Sequence, residues 1–233
     1  MISLVQLLKE IQSPPKALIL AGAPGSGKGF ILKGINLPEF KTYNIDNEFI
    51  RLLQASNISL DLKNHNAEDR RNAAMAMANA TNKLKKETLP KAIENKESFI
   101  LDGTAASLNQ TISLKNELEQ KGYKVYMLYV YADLEITLIQ NQNRFEKSEG
   151  KDRSLQPSIV LRTWDKVTSN FDDYKSAFGK NFICVSNVGE QPSLKDIKQI
   201  INKYIIPFTP QDTIKDSDPK KKEELNIKIQ DFL

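Results

Sequence analysis

The sequence predicts an α/β domain: an open, mostly parallel five-stranded sheet flanked by helices, with a helical lid. Three observations predict it. Five apolar runs of strand length alternate with longer helical stretches. A glycine-rich loop joins the first run to the first helix, and two other runs end in aspartate. With 233 residues the chain is long enough for one generous domain and a tail.

Met1 to Gln12 carries Ile2, Leu4, Val5, Leu8 and Ile11 at helical spacing, but no basic start, and Lys9-Glu10 comes too early for a secretory signal. Residues 1–15 are therefore expected to form an amphipathic helix packed on the domain. The strands are expected at Ala17-Leu18-Ile19-Leu20-Ala21, Lys41 to Asp46, Ser98 to Asp102, Lys124 to Val130 and Asn181 to Val185. Continuous apolar runs of this kind suit strands covered on both faces by crossover helices. Asn66 to Asn95 is rich in alanine and predicts a long helix, kinked near its end by Pro90. Asp133 to Lys147 reads as a helix, and another starts at Pro157. The charged, glycine-containing segment between them makes residues 144–156 the expected mobile lid. The main domain is expected over 16–205, and a tail over 206–233, partly disordered or docked through Leu225, Ile227, Ile229 and Phe232.

Composition excludes several functions. No apolar run approaches the roughly 20 residues that cross a bilayer, so no membrane role is expected. Cys184 is the sole cysteine, which rules out an intrachain disulfide and points to a reducing, cytoplasmic setting. No Cys/His cluster offers a zinc site. The net charge of +4 suits anionic substrates without arguing for nucleic acid, which is expected at most as a substrate. Six of the 33 basic residues are arginines: Arg51, Arg70, Arg71, Arg144, Arg153 and Arg162. Lysine supplies the solubility, so each arginine is a candidate bidentate phosphate ligand.

The strongest chemical signal is Gly22-Ala23-Pro24-Gly25-Ser26-Gly27-Lys28-Gly29, which fits G-x-x-x-x-G-K between a hydrophobic strand and a helical run. Glycines let the backbone wrap phosphate oxygens with N–H groups, and Lys28 reaches the β- and γ-phosphates of ATP. Gly29 stands where a Ser or Thr usually ligates Mg²⁺, and Phe30 follows it. Mg²⁺ must therefore be held by water and by groups elsewhere, or held weakly. Asp102, after Phe99-Ile100-Leu101, is expected to orient Mg²⁺ waters, with Thr104 adding a hydroxyl through water. Asp46, in Ile45-Asp46-Asn47-Glu48-Phe49, is the candidate base for an acceptor hydroxyl; capping of the following helix is its structural alternative. Arg51, one turn on, is a weaker candidate for an acceptor phosphate. His65 is read as a helix-entry residue and Trp164 as packing.

In order along the chain, the phosphate loop, Ile45-Asp46-Asn47 with Phe49, Leu101-Asp102-Gly103-Thr104, Lys121-Gly122-Tyr123-Lys124-Val125, and Arg144-Phe145-Glu146 followed by Arg153 resemble the zeta-toxin family of P-loop kinases, over about residues 16 to 188. The loop itself, with glycine after the lysine, also resembles that of adenylate kinases. The resemblance implies an ATP-dependent phosphotransferase in which Asp46 is the catalytic base, Lys28 the loop lysine, and Arg144 and Arg153 clamp phosphates across the transfer. It also implies a small phosphorylated acceptor and an antitoxin-like protein partner. Where toxin members place glycine and arginine after the Gly-Thr pair, this chain has Ala105 and Ala106, so a different acceptor is expected. Two other readings are a nucleoside monophosphate or polynucleotide 5′-hydroxyl kinase and an ATP-binding interaction module without transfer.

Overall fold

The computed structural model describes residues 14–34, 37–62, 65–149, 152–153 and 155–187. The expected N-terminal helix and C-terminal tail lie outside the described residues. The elements are β1 (Lys16–Ala21), α1 (Lys28–Gly34), β2 (Lys41–Asn44), α2 (Ile45–Ala55), α3 (Ala67–Lys83), α4 (Leu89–Glu94), β3 (Phe99–Asp102), α5 (Leu108–Gln120), β4 (Lys124–Tyr131), α6 (Leu134–Lys147), α7 (Pro157–Ser169), α8 (Phe171–Phe178) and β5 (Phe182–Ser186). The strands form one five-stranded sheet in the order β2-β3-β1-β4-β5, and every pairing is parallel.

Alternation along β1 and β4 divides the core between the two faces, because successive side chains point to opposite sides. Ala17, Ile19 and Ala21 join Val125, Met127 and Tyr129 under α4, α5, α7 and α8. Leu18 and Leu20 join Tyr126, Leu128 and Val130 with Ile31 of α1 on the other side. A third cluster, with Phe49, Leu53, Ala73, Ala76 and Ala80, closes α2 against α3 beside the sheet. The helix after β1 covers one face and the helix after β3 covers the other. The crevice between the C-terminal ends of these adjacent strands is thus a topological switch point, where open α/β sheets bind ligands.

Two local expectations change. Strand β2 stops at Asn44, not Asp46, because the Asn44 side chain accepts the Asp46 N–H at 2.7 Å and starts α2 at Ile45. Asn44 is therefore the cap, and Asp46 sits in the first turn of the helix. The break in the alanine-rich helix precedes Pro90. Leu84–Thr88 form a π-helical turn in which Leu89 N–H reaches Leu84 O. Proline cannot donate to the carbonyl four residues back and its ring crowds that carbonyl, so the preceding turn widens. Among the described residues no helix is long and apolar enough to cross a membrane.

Candidate active site

The phosphate loop leaves β1 at Gly22, whose N–H donates to Thr104 O at 3.1 Å and so ties the loop to the segment after β3. Gly25 has φ +86° and faces the Thr137 carbonyl so closely that a Cβ would collide with it. Gly27 has φ +95°, and a Cβ there would lie 2.6 Å from the Asn187 side-chain nitrogen. Only glycine meets both the backbone and the space requirement at these positions. Ser26 is buried, and among the described residues its Oγ has no hydrogen-bond partner. Lys28 folds back over the loop, its Nζ donating to Gly22 O at 2.7 Å and Ala23 O at 2.8 Å. Desolvation pushes its pKa down to about 8; Asp102 and Asp46 pull against that shift, and Arg144 and Arg153 add to it.

Asp102 ends β3 directly across from Asn44 in the strand register. Asn44 Nδ2 donates to Asp102 Oδ2 at 2.6 Å. Burial holds the Asp102 carboxyl above its ordinary range, opposed by Lys28, the Asn44 hydrogen bond and Arg144, with Asp46 adding to the rise. One amide thus touches both candidate acids, through the main chain of Asp46 and the carboxylate of Asp102.

Arg153 enters from the segment between α6 and α7. Its Nη2 donates to Asp46 Oδ1 at 2.6 Å, and its side chain is only 9% exposed. Its guanidinium carbon lies 5.8 Å from the centre of the Phe49 ring, and among the described residues its buried Nε has no hydrogen-bond partner. Arg153 is therefore not a solvent-exposed loop arginine. Arg144 Nε donates to one oxygen of Asp152, whose other oxygen accepts the Arg153 N–H at 2.8 Å. Asn141, buried on α6, fixes the far side of this segment by accepting from Leu155 N–H at 3.2 Å and donating to Leu155 O at 2.9 Å.

Lys28, Asp46, Asp102, Arg144 and Arg153 therefore share one electrostatic neighbourhood at the C-terminal edge of the sheet. Thr104 lies beside the loop through its main chain. Arg51 does not join them: it forks onto Glu48 at 2.6 and 3.0 Å on the exposed face of α2, where Lys83 also reaches Glu48. His65 is buried with Nε2 2.7 Å from Ser59 O, a local structural contact. Trp164 packs against the core and donates to Ala132 O at 2.8 Å. Asn44, Asn141 and Asn187 are the polar residues that sequence reasoning missed. Asn44 alone carried a signal, since asparagine two residues before a helix-borne acid is a favoured cap.

The family model of the zeta toxins matches residues 5–197. Two adenylate kinases from strains of Ureaplasma parvum serovar 3 are 28% identical over 127 residues, or 50% of this chain and 52% of theirs, so the chain spans about half the length of these curated relatives. Among solved structures, the PezAT toxin-antitoxin system of Streptococcus pneumoniae aligns with TM-score 0.52 at 13% identity, over 84% of this chain and 88% of that one. The AvrRxo1-ORF1:-ORF2 complex aligns with TM-score 0.56 at 15% identity, over 96% and 77%. The same complex with ATP gives 0.53 at 16%, over 96% and 78%. At these identities the structural likeness is one of fold.

Proposed function

The chain belongs to the zeta toxin family, and from that premise we propose that it is an ATP-dependent phosphotransferase, moving the γ-phosphoryl group of ATP to a hydroxyl of a small phosphorylated acceptor such as a nucleotide or sugar nucleotide. The observation that carries this reading is the meeting of the loop lysine, the acid that ends β3, the acid in the first turn of α2 and a buried arginine from the segment between α6 and α7 in one crevice.

In this reading the phosphates of ATP lie in the loop Gly22–Gly29, against its N–H groups and Lys28. Asp46 accepts the proton of the acceptor hydroxyl as that oxygen bonds to the γ-phosphorus and the bond to the ADP oxygen breaks. Arg153 and Arg144 neutralise charge on the moving group, and Arg153 must share itself between Asp46 and that group. Such transfer depends on positioning and charge more than on covalent chemistry.

Magnesium fits the residues present. Among the described residues no group of three or more His, Cys, Asp or Glu could hold a metal ion. Mg²⁺ with ATP needs no such cage, because it keeps several waters and takes one or two carboxylates besides the phosphates. Asp102, oriented by Asn44, supplies that carboxylate, and Thr104 acts through water. When bound, the ion neutralises charge on the β- and γ-phosphate oxygens. An antitoxin-like protein partner belongs to the same proposal, by likeness to the PezAT and AvrRxo1-ORF1:-ORF2 assemblies.

The similarity to adenylate kinases favours a second acceptor class, nucleoside monophosphates. One assay separates the two: ATP consumption with Mg²⁺ for wild type, Lys28→Ala and Asp46→Asn, over UDP-N-acetylhexosamines, nucleoside monophosphates, nucleosides and 5′-hydroxyl oligonucleotides. Acceptor-stimulated turnover lost in both variants supports the kinase and selects the acceptor. ATP binding without product on any acceptor refutes transfer to these classes.

A further inference from the structure

A phosphate loop works by turning main-chain N–H groups toward the anion and keeping carbonyl oxygens away from it. The peptide joining Ser26 to Gly27 has to be oriented in this sense. It is trans, like every described peptide, so its C=O and N–H point in opposite directions. Among the described residues the Gly27 N–H meets no acceptor, whereas the Ser26 carbonyl does meet a donor: Asn187 Nδ2, at 3.1 Å.

Asn187 stands immediately after β5 and is buried, at 8% exposure. Its own N–H is bonded to Tyr131 O at the end of β4, at 2.7 Å. The side chain is therefore fixed at its base on the sheet edge and reaches the loop from 161 residues away. A second observation is independent of that hydrogen bond: a Cβ on Gly27 would come 2.6 Å from the same nitrogen. The amide thus holds the Ser26 carbonyl and occupies the space beside Gly27 that a side chain there would need.

We propose that Asn187 is a positioning residue for nucleotide binding: its amide anchors the Ser26 carbonyl toward the end of β5 and so keeps the Gly27 N–H turned into the phosphate loop. Released from Asn187, the peptide can rotate and present an oxygen, instead of a hydrogen-bond donor, to the phosphates. The main-chain bond to Tyr131 survives replacement of the side chain by leucine or alanine, so the anchor can be removed without detaching β5. The proposal rests on the ATP-binding reading given above.

The test uses the full chain as wild type, Asn187→Leu and Asn187→Ala, with ATP affinity measured by calorimetry, steady-state constants, and the ¹⁵N-resolved Gly27 amide followed as ADP is added. Leucine fills nearly the same space and has no donor. Both variants are expected to weaken ATP binding about five- to tenfold, the size of one lost hydrogen bond. That loss should appear in KM for ATP, with kcat and the acceptor's KM held, and the Gly27 amide should lose its response to ADP. If Asn187 only fills space, Asn187→Leu binds ATP as wild type does and the amide response persists, and that result overturns the proposal while leaving the kinase reading standing. If wild type itself binds no ATP, the kinase reading fails, and the positioning role falls with it.

Discussion

Truncating Arg153 separates structure from chemistry at this site. Arg153→Ala removes a guanidinium whose side chain is 9% exposed and which lies 2.6 Å from an Asp46 side chain that is 25% exposed. Breaking a fully buried pair costs about 3–5 kcal/mol, because the remaining charge is stranded. Asp46 keeps water on a quarter of its surface, so the cost here falls to about 1–2 kcal/mol. Loss of the contact with Phe49 adds about 0.5–1 kcal/mol. Together these lower Tm by roughly 4–10 °C for a chain of this size. The effect on transfer is expected to be larger: an arginine on the moving phosphoryl group contributes about 10³- to 10⁵-fold in rate, or roughly 4–7 kcal/mol. Acceptor-stimulated ADP formation, measured well below the Tm of the variant, reads the second effect without the first. Arg153→Lys keeps the charge and loses the fork, so its rate should fall between the two. If Arg153→Ala turns over within tenfold of wild type while its Tm drops as expected, Arg153 is a structural partner of Asp46 and not a phosphate ligand.

Three further perturbations follow from the same geometry. Lys28 has its pKa lowered to about 8 in the free protein; phosphate contact favours the ammonium, so ATP binding should take up a proton near pH 8.5 and weaken as pH rises through 8. Calorimetry in buffers of unequal ionisation enthalpy measures that uptake, and none at pH 8.5 would contradict the Lys28 contact. Among the described residues no atom outside its own helix backbone and chain neighbours lies within 4 Å of where a Gly29 Cβ would stand, and Gly29 lies in ordinary helical backbone. Gly29→Ser should therefore leave Tm within about 2 °C and lower the Mg²⁺ concentration needed for half-maximal turnover severalfold, and an unchanged Mg²⁺ requirement would show that a hydroxyl here does not reach the metal. Ala105 holds φ +52°, a left-handed conformation that costs a non-glycine residue about 1–2 kcal/mol. Ala105→Gly should recover up to about 1 kcal/mol after the entropy of glycine is subtracted, visible as a Tm rise of about 2–4 °C, and a fall in Tm would mean that the Ala105 methyl packs more than it strains.

The sheet was legible in the sequence because its signals are local. Each strand is an apolar run, and the phosphate loop carries its own glycine spacing. The expected bounds of β1, β3, β4 and β5 lie within a residue of those observed. The end of β2 was misread because Tyr43-Asn44-Ile45-Asp46 is compatible with strand continuation until the Asn44 side chain takes the Asp46 N–H. What the sequence hid was the set of bridges. Asn44 joins β2 to β3, Asn141 joins α6 to Leu155, and Asn187 joins β5 to the loop. Each is an asparagine, whose amide both donates and accepts and brings no charge into a crowded electrostatic field. Their partners, apart from the capping contact, lie 14 to 161 residues away in the chain, so neither periodicity nor a motif announces them. The burial of Arg153 was hidden for the same reason: a charged segment between two helices reads as solvated until Phe49 and Asp46, from another element, are brought against it.

These bridges form a contiguous path across the site. Asp102 is held by Asn44, which also takes the main chain of Asp46; the Asp46 carboxylate receives Arg153; and Asp152 receives both the Arg153 N–H and the Arg144 side chain. Contiguity alone does not establish coupling, but here the path has a physical consequence. Without substrate, the charge of Asp46 is satisfied by Arg153. Under the proposed function, a bound phosphorylated acceptor would offer Arg153 a second anion, and whatever share of the guanidinium moves to it would uncover the Asp46 carboxylate for the acceptor hydroxyl. On that reading the Asp46 carboxylate is covered by Arg153 when no acceptor is present, the state in which activating water would waste ATP. Asp46→Asn should accordingly remove transfer and loosen the seat of Arg153 at the same time. Arg144→Ala, acting on Asp152 instead, should relax the segment while leaving the Asp46 pair to form.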